Sequence, residues 1–403
     1  MATEEPPRFL FFVPPSPSPS SLSASRAAFE DTISQVLKEV ATASADSSRA
    51  AILEIATACP QLTTAQSTHR SGLYDQMQDI IAGIYKLVCV VAAAEHINIE
   101  DSEGVDVRVL PVAWSPESSG SSAERQCYGP VVSIATLAQC GRVWQYAFGV
   151  ESEAGEAMVR AFVTAKGGGE TVNRLYGGSV MVNASSDSGA ESGRSPSHNS
   201  SRSGEGQHYD VAVGGTFDHL HIGHKLLLTM TLFAADRRTD GSLWSATVGI
   251  TGDQLLVNKK HALVLESWSD RQRAVEAFCD SLLDFSASSS KHTTTRDDTG
   301  PNGKSVDHFY SEGLVVKCTE IQDPFGPTIT VEQISALIIS AETRSGGKAV
   351  NDKRKEKGWK ELDVFEVNVL DADEEGAVKE GFDSKLSSTA IREKLARKQG
   401  ASI

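Results

Sequence analysis

His221 and His224 stand three residues apart in the run VAVGGTFDHLHIGHKLLL, Val211 to Leu228. That interval puts both imidazoles on one side of a single helical turn, where a ring nitrogen can reach a bound anion. Before them come Gly214 and Gly215, whose missing side chains let a ligand approach the backbone, and Thr216, which adds a hydroxyl. Paired histidines on a helix also bind zinc. The familiar zinc spacing is i, i+4 with a glutamate between, whereas Ile222 and Gly223 separate this pair at i, i+3, so no metal ligands are assigned.

A second cluster of hydroxyls lies far away in the chain, in KLSSTAIREKLARK, Lys385 to Lys398. Ser387, Ser388 and Thr389 offer side-chain oxygens and amides at a helix start. Ile391 and Leu395 would pack that helix, and Lys394, Arg397 and Lys398 suit its C-terminal end. Phosphate is the ligand that both clusters fit.

Elements must exist to hold these groups. Val211 to Val213 read as a short buried strand ending at the glycine pair, and a leucine-rich helix opens near His221. The free amides and positive dipole end of that helix would face the crevice at the strand's carboxyl end. Further short strands are expected at Thr247 to Ile250, Leu314 to Ile321, Ala336 to Ile339 and Val364 to Leu370. Helical patterns fall between several of them; in one, Ser269 and Gln272 have capping-box spacing. This alternation implies an α/β fold with a doubly wound parallel sheet, whose ligands sit at the carboxyl ends of the strands.

GGTFDHLHIGH resembles the signature of the HxGH nucleotidyltransferase superfamily, and Lys385 to Lys398 resembles its second signature. A class I aminoacyl-tRNA synthetase would carry Lys-Met-Ser-Lys-Ser there, but Ser388 stands where the second lysine belongs. The Gly-Ile-Ser-Thr-Thr motif of lipid cytidylyltransferases also fits less well. Closer similarity is to the phosphopantetheine adenylyltransferases of eukaryotic and archaeal type. It runs from about Asp210 onward and includes VNKK (Val257 to Lys260), DPFGPT (Asp323 to Thr328) and ISAETRSGGKAVNDKR (Ile339 to Arg354).

The resemblance implies a Rossmann-like domain that transfers AMP from ATP, carried with Mg²⁺, to 4'-phosphopantetheine, giving dephospho-coenzyme A and pyrophosphate. It implies His224, Lys259 and Thr216 as catalytic residues. ATP would meet Gly214, Gly215, His221, Gly223, His224, Arg344, Ser387, Ser388 and Thr389, with Arg354 a further candidate for the triphosphate. The acceptor would meet Thr216, Asp218, Lys259 and Lys260. Two other readings stay open: a sister enzyme using another acceptor, such as nicotinamide mononucleotide, and a non-catalytic nucleotide-binding regulator.

The chain of 403 residues exceeds the usual size of one core, so two domains are expected. A formal net charge of −15 argues against binding a nucleic-acid backbone, which needs clustered Lys and Arg. Cysteines 59, 89, 127, 140, 279 and 318 show no CxxC or zinc-ligand spacing and are expected to be reduced. The N-terminus is acidic where a signal peptide is basic, and Pro14 and Pro15 break its apolar run. With no uninterrupted apolar run long enough to span a membrane, a cytoplasmic location is expected.

Ser/Gly-rich composition marks residues 184–208 as a disordered linker and 286–305 as a disordered insertion. They divide the chain into an N-terminal α/β domain over 1–183, of unknown role, and a nucleotidyltransferase domain over 209–403. In the first domain, RFLFFV (Arg8 to Val13), AAILEIA from Ala50 and VDVRVLPV from Val105 read as strands, and Leu73 to Glu95 as a helix. His69, His96 and Gly167 to Gly169 read as surface groups and a turn.

Overall fold

The computed structural model of the chain describes residues 5–16, 22–45, 47, 49–63, 69–99, 104–117, 127–167, 173–174, 206–286, 291–296, 302–368, 387–398 and 400. Most of the expected linker, and Lys385, lie outside them.

The N-terminal half forms a parallel sheet of β1 (Arg8–Val13), β2 (Ile52–Ala58), β3 (Asp106–Ala113), β4 (Val132–Ser133), β5 (Tyr146–Gly149) and β6 (Asn173–Arg174). Its order is β4-β3-β2-β1-β5-β6, with the chain reversing its winding beside β1. Helices α1 (Leu22–Ala45), α2 (Arg70–Ala94), α3 (Ile134–Gln139) and α4 (Glu153–Lys166) connect the strands. β2 is buried along its whole length and β1 nearly so, as expected for strands covered on both faces.

The C-terminal half contains β7 (Asp210–Gly215), β8 (Trp244–Thr251), β9 (His292–Arg296), β10 (Ser305–Phe309), β11 (Leu314–Ile321), β12 (Ala336–Ser340) and β13 (Asp363–Val367). Their order is β13-β12-β7-β8-β11-β10-β9. Five strands are parallel. At the edge, β10 runs antiparallel to both β9 and β11, so the expected parallel sheet is a mixed one. β9 lies inside the stretch expected to be a structureless insertion. Its HTTTR run is fully exposed, so the strand is held by ladder hydrogen bonds and β-branched threonines rather than by a buried face.

Helices α5 (Ile222–Ala234), α6 (Trp268–Leu283), α7 (Arg344–Glu356) and α8 (Ser388–Lys398) accompany this sheet. α6 starts earlier than the Ser269–Gln272 spacing suggests. Ser267, on extended backbone, accepts from the Asp270 amide and caps the helix, so Ser269 is already within it. In register, Val211 to Val213 stand level with Ala246 to Val248 of β8 and Ala336 to Ile338 of β12. The carboxyl ends of these three strands therefore open on one edge.

Each half has its own sheet, yet one continuous apolar core includes residues of both. α5 explains how. It is buried from Lys225 through Ala234, on every face, because it lies between its own sheet and α2 of the N-terminal half. α2 is itself long and apolar enough to cross a membrane by length and composition, although Lys86 interrupts its apolar run. Tyr74, Met77, Ile81, Tyr85 and Val88 face the core, while Asp75, Gln76 and Asp79 face outward. No disulfide joins any of the six cysteines.

Candidate active site

At the end of β7 the two glycines serve different purposes. A side chain on Gly214 would point into open space, so that backbone is approachable, whereas one on Gly215 would meet the Phe217 ring at 3.0 Å. The chain then turns through Phe217 (φ +53) and His219 (φ +46), a left-handed conformation that costs non-glycine residues roughly 1–2 kcal/mol each. Anchors on the neighbouring loop hold the turn. The His219 amide donates to Glu266 Oε2 at 2.7 Å, His219 Nε2 lies 2.8 Å from the Val264 carbonyl, and Phe217 is fully buried.

His221 is the N-cap residue of α5 by backbone position, but its side chain caps nothing. Its ring stacks on that of His224, centroids 3.9 Å apart and planes 26° apart, and His224 packs in turn on Phe217 at 5.4 Å. Gly223 permits the stack, since a Cβ there would sit 3.2 Å from the His221 ring. The Nδ1 atoms of both histidines are sealed from solvent without a hydrogen-bond partner. Burial, reinforced by Lys225, pushes the His221 pKa down to about 4. Burial and the neighbouring His221 push His224 well below the usual histidine range. Near neutral pH the pair is therefore uncharged, and each ring keeps one N–H to donate.

The second cluster meets the first through a residue the spacing argument passed over. Arg392, on α8, is almost fully buried and pairs with Asp218 Oδ2 at 2.5 Å. It also donates to the Lys260 carbonyl at 3.0 Å and to Thr389 Oγ1 at 3.1 Å. Asp218 Oδ1 accepts from the Glu266 amide at 2.9 Å. One guanidinium thus joins the HxGH turn, the loop carrying Lys259 and Lys260, and the mouth of α8. Ser387 caps that helix by accepting from the Ala390 amide, leaving Ser388 and Thr389 in its first turn. The signal was present: Arg392 lies three residues beyond Thr389, on the same helical face.

Arg271 is a second such residue. Fully buried on α6, it donates to the Thr216 carbonyl at 2.7 Å, the Asp253 carboxylate at 2.6 Å and the Glu266 carbonyl at 3.1 Å. It ties the exits of β7 and β8 together, helped by the Thr251 hydroxyl donating to the Gly215 carbonyl.

The remaining candidates are distributed as follows. Lys259 and Lys260 are exposed on the loop after β8, beside His261, which has φ +57. The Asp218 carboxylate is engaged at both oxygens by the contacts described above, which makes it a support of the turn rather than an open ligand. Arg344 is exposed where α7 begins, after β12, and its guanidinium forks onto Glu366. Arg354 lies elsewhere in function: it is buried and donates to the carbonyls of Thr328, Glu332, Ile334 and Lys360, so it organises the segment before β12 instead of facing a triphosphate. In DPFGPT, Asp323 Oδ1 accepts from the amides of Phe325 and Gly326. Only glycine fits at 326, because a Cβ would come within 2.4 Å of Ile321. Among the described residues, no group of three or more His, Cys, Asp or Glu is placed to hold a metal ion.

Residues 212–394 match the cytidylyltransferase-like family, and residues 1–181 match a domain of unknown function (DUF8446). The C-terminal domain is thus similar to the cytidylyltransferase-like class, with a Rossmann-like fold. Within that class the chain is similar to the phosphopantetheine adenylyltransferase of Saccharomyces cerevisiae, 36% identical over 46% of this chain and 48% of that protein. It is also similar to an uncharacterized protein of Schizosaccharomyces pombe, 36% identical over 46% of this chain and 48% of the other. A third relative is the phosphopantetheine adenylyltransferase of Pyrobaculum aerophilum, 29% identical over 47% of this chain and 92% of that protein. The chain spans about half the length of the two fungal relatives.

Proposed function

We propose that the C-terminal domain transfers AMP from ATP to 4'-phosphopantetheine, releasing pyrophosphate and forming dephospho-coenzyme A, with Mg²⁺ arriving as part of the ATP substrate. The observation that carries this reading is the Arg392 junction. It sets the hydroxyl-lined start of α8 beside the HxGH turn and the Lys259–Lys260 loop, so that a nucleotide and a second phosphate can be gripped between them. The names of the yeast and archaeal relatives supply the acceptor.

The chemistry asks for little proton transfer. The acceptor phosphate has a second pKa of about 6 and is largely ionised near neutral pH. One of its oxygens bonds to the α-phosphorus of ATP, the bond from that phosphorus to the bridging oxygen breaks, and the electron pair leaves with pyrophosphate. What is needed is the juxtaposition of two polyanions and donors aimed at the charge that builds up. The amides opening α5 and α8, the N–H of His224 and the hydroxyls of Ser388 and Thr389 face ATP in this reading. Lys259 and Thr216 hold the acceptor phosphate. Because the histidines are neutral, their part is to donate hydrogen bonds rather than to supply charge.

Incubation of the purified full chain with ATP and Mg²⁺, with pyrophosphate as readout, tests the proposal. Release dependent on 4'-phosphopantetheine is expected. Release with nicotinamide mononucleotide instead would reassign the acceptor, and binding of ATP without release under any acceptor would favour a regulator.

A further inference from the structure

Lys225 follows His224 directly, yet it points away from the site. Its ammonium is buried and donates to Asp106 Oδ1 at 2.6 Å and to the Val107 carbonyl at 3.0 Å, both at the start of β3 in the N-terminal half. Arg108 holds the other oxygen of Asp106 at 2.6 Å, fixing the carboxylate as a socket. The far end of α5 is held as well. Asp236, just past the helix, accepts from the Arg70 amide at 3.2 Å and from the Tyr128 hydroxyl at 3.4 Å. The Arg70 guanidinium lies 4.0 Å from the Tyr128 ring centroid and 4.6 Å from that of Phe233 on α5.

α6, the helix of Arg271, is gripped from the same half. Arg142 donates to the carbonyls of Ser281 and Asp284 at its C-terminal end, at 2.7 and 2.9 Å, while holding the buried Glu54 at 3.0 Å. Helix α5, which follows His221 and carries His224, is thus fastened at both ends to residues of the N-terminal half, and α6, which carries Arg271, at its C-terminal end.

We infer that the N-terminal half, which no activity has been assigned to, is the brace that sets the position of the HxGH helix, with Lys225 and Asp106 as its positioning residues. Lys225 would otherwise be a costly choice, since an ammonium is rarely buried unless paired. An apolar residue would have packed there without the requirement for a partner, but it would not fix the rotation and axial position of the turn holding His224. A preorganised donor is effective only if held in place, and displacement of about 1 Å costs on the order of 100-fold in rate.

This inference rests on the catalytic reading, but its test has an arm that does not. In the full chain, Lys225→Met, Asp106→Asn and the double variant are compared with the parent. The expected result is a fall in kcat of roughly 10- to 100-fold in each single variant, little change in KM for ATP, and a double variant no worse than either single one. The ring signals of His221 and His224 in isotope-labelled protein should shift in the same variants, and that readout stands whether or not the parent turns over any acceptor. Should Lys225→Met fail to fold, Asp106→Asn, which leaves the lysine to the Val107 carbonyl, carries the test. A lowered melting temperature with kcat within twofold of the parent and unmoved histidine signals would reduce the contact to stability alone and overturn the inference.

Discussion

Asp218 and Arg392 stand 174 positions apart in the chain and meet at 2.5 Å, both buried. Their contact joins the two segments whose residue types suggest phosphate binding. Replacing Arg392 with Met should leave the Asp218 carboxylate without its cation in a sealed site, costing about 3–5 kcal/mol of stability. Turnover should fall further than the loss of folded protein accounts for, because the start of α8 would be released from the HxGH turn. Urea unfolding beside steady-state kinetics on the folded fraction separates the two effects.

His224→Ala should lower kcat by roughly 10²- to 10³-fold, the effect of removing one preorganised donor. Lys259→Ala should also lose turnover while leaving the unfolding midpoint in place, because its side chain lies in solvent. Unchanged kinetics in either folded variant would remove that residue from the site.

The two half-buried histidines make stability depend on pH in a defined direction. Their folded pKa values are depressed, to about 4 for His221 and well below the usual range for His224, so the unfolded chain binds protons that the folded chain refuses. Stability is therefore full above the ordinary histidine pKa of about 6.5 and declines as pH falls below it. For His221 the decline ends near pH 4. His221→Asn should flatten unfolding midpoints measured between pH 7 and 4.5. Across pH 6 to 8, kcat should show no limb from these two rings.

Gly223→Ala offers a test that sets helix propensity against geometry. Alanine favours a helix by up to about 1 kcal/mol over glycine, yet its Cβ would press on the His221 ring. The variant should fold at least as well as the parent and turn over more slowly, with altered His221 signals. A variant as active as the parent would show that the stacked arrangement is dispensable.

The two arginines near β12 should behave oppositely. Arg354→Met removes donors from the backbone carbonyls that side chain holds and should lower the melting temperature without a selective change in KM for ATP. Arg344→Ala, on the surface, should shift stability by no more than about 0.5 kcal/mol. A raised KM for ATP in that variant would show Arg344 leaving Glu366 for the triphosphate.

What could be read from the sequence was what is local. RFLFFV and AAILEIA read as strands because strands covered on both faces are continuous apolar runs, and Val211 to Val213 marked β7 for the same reason. The two histidines and the serine–threonine run stood out because their interval alone places them on one helical turn. HTTTR did not read as a strand: its composition is that of a loop, and its order comes from pairing with β10. Ser269 read as the cap of α6 from its spacing to Gln272, and nothing local pointed to Ser267 instead. Arg271 was silent because its partners, two carbonyls and a carboxylate of other segments, leave no periodic trace, and the carbonyl partners of Arg354 were hidden for the same reason.

An α5 that is buried around its whole circumference has a consequence for how this protein comes into being. Synthesis delivers α2 long before the helix that will cover its outer flank, and α5 in turn emerges with no solvent-facing side of its own. Neither half is finished until the other arrives. The gap between the two family matches, at 181 and 212, is a seam between sequence families across which the apolar core continues.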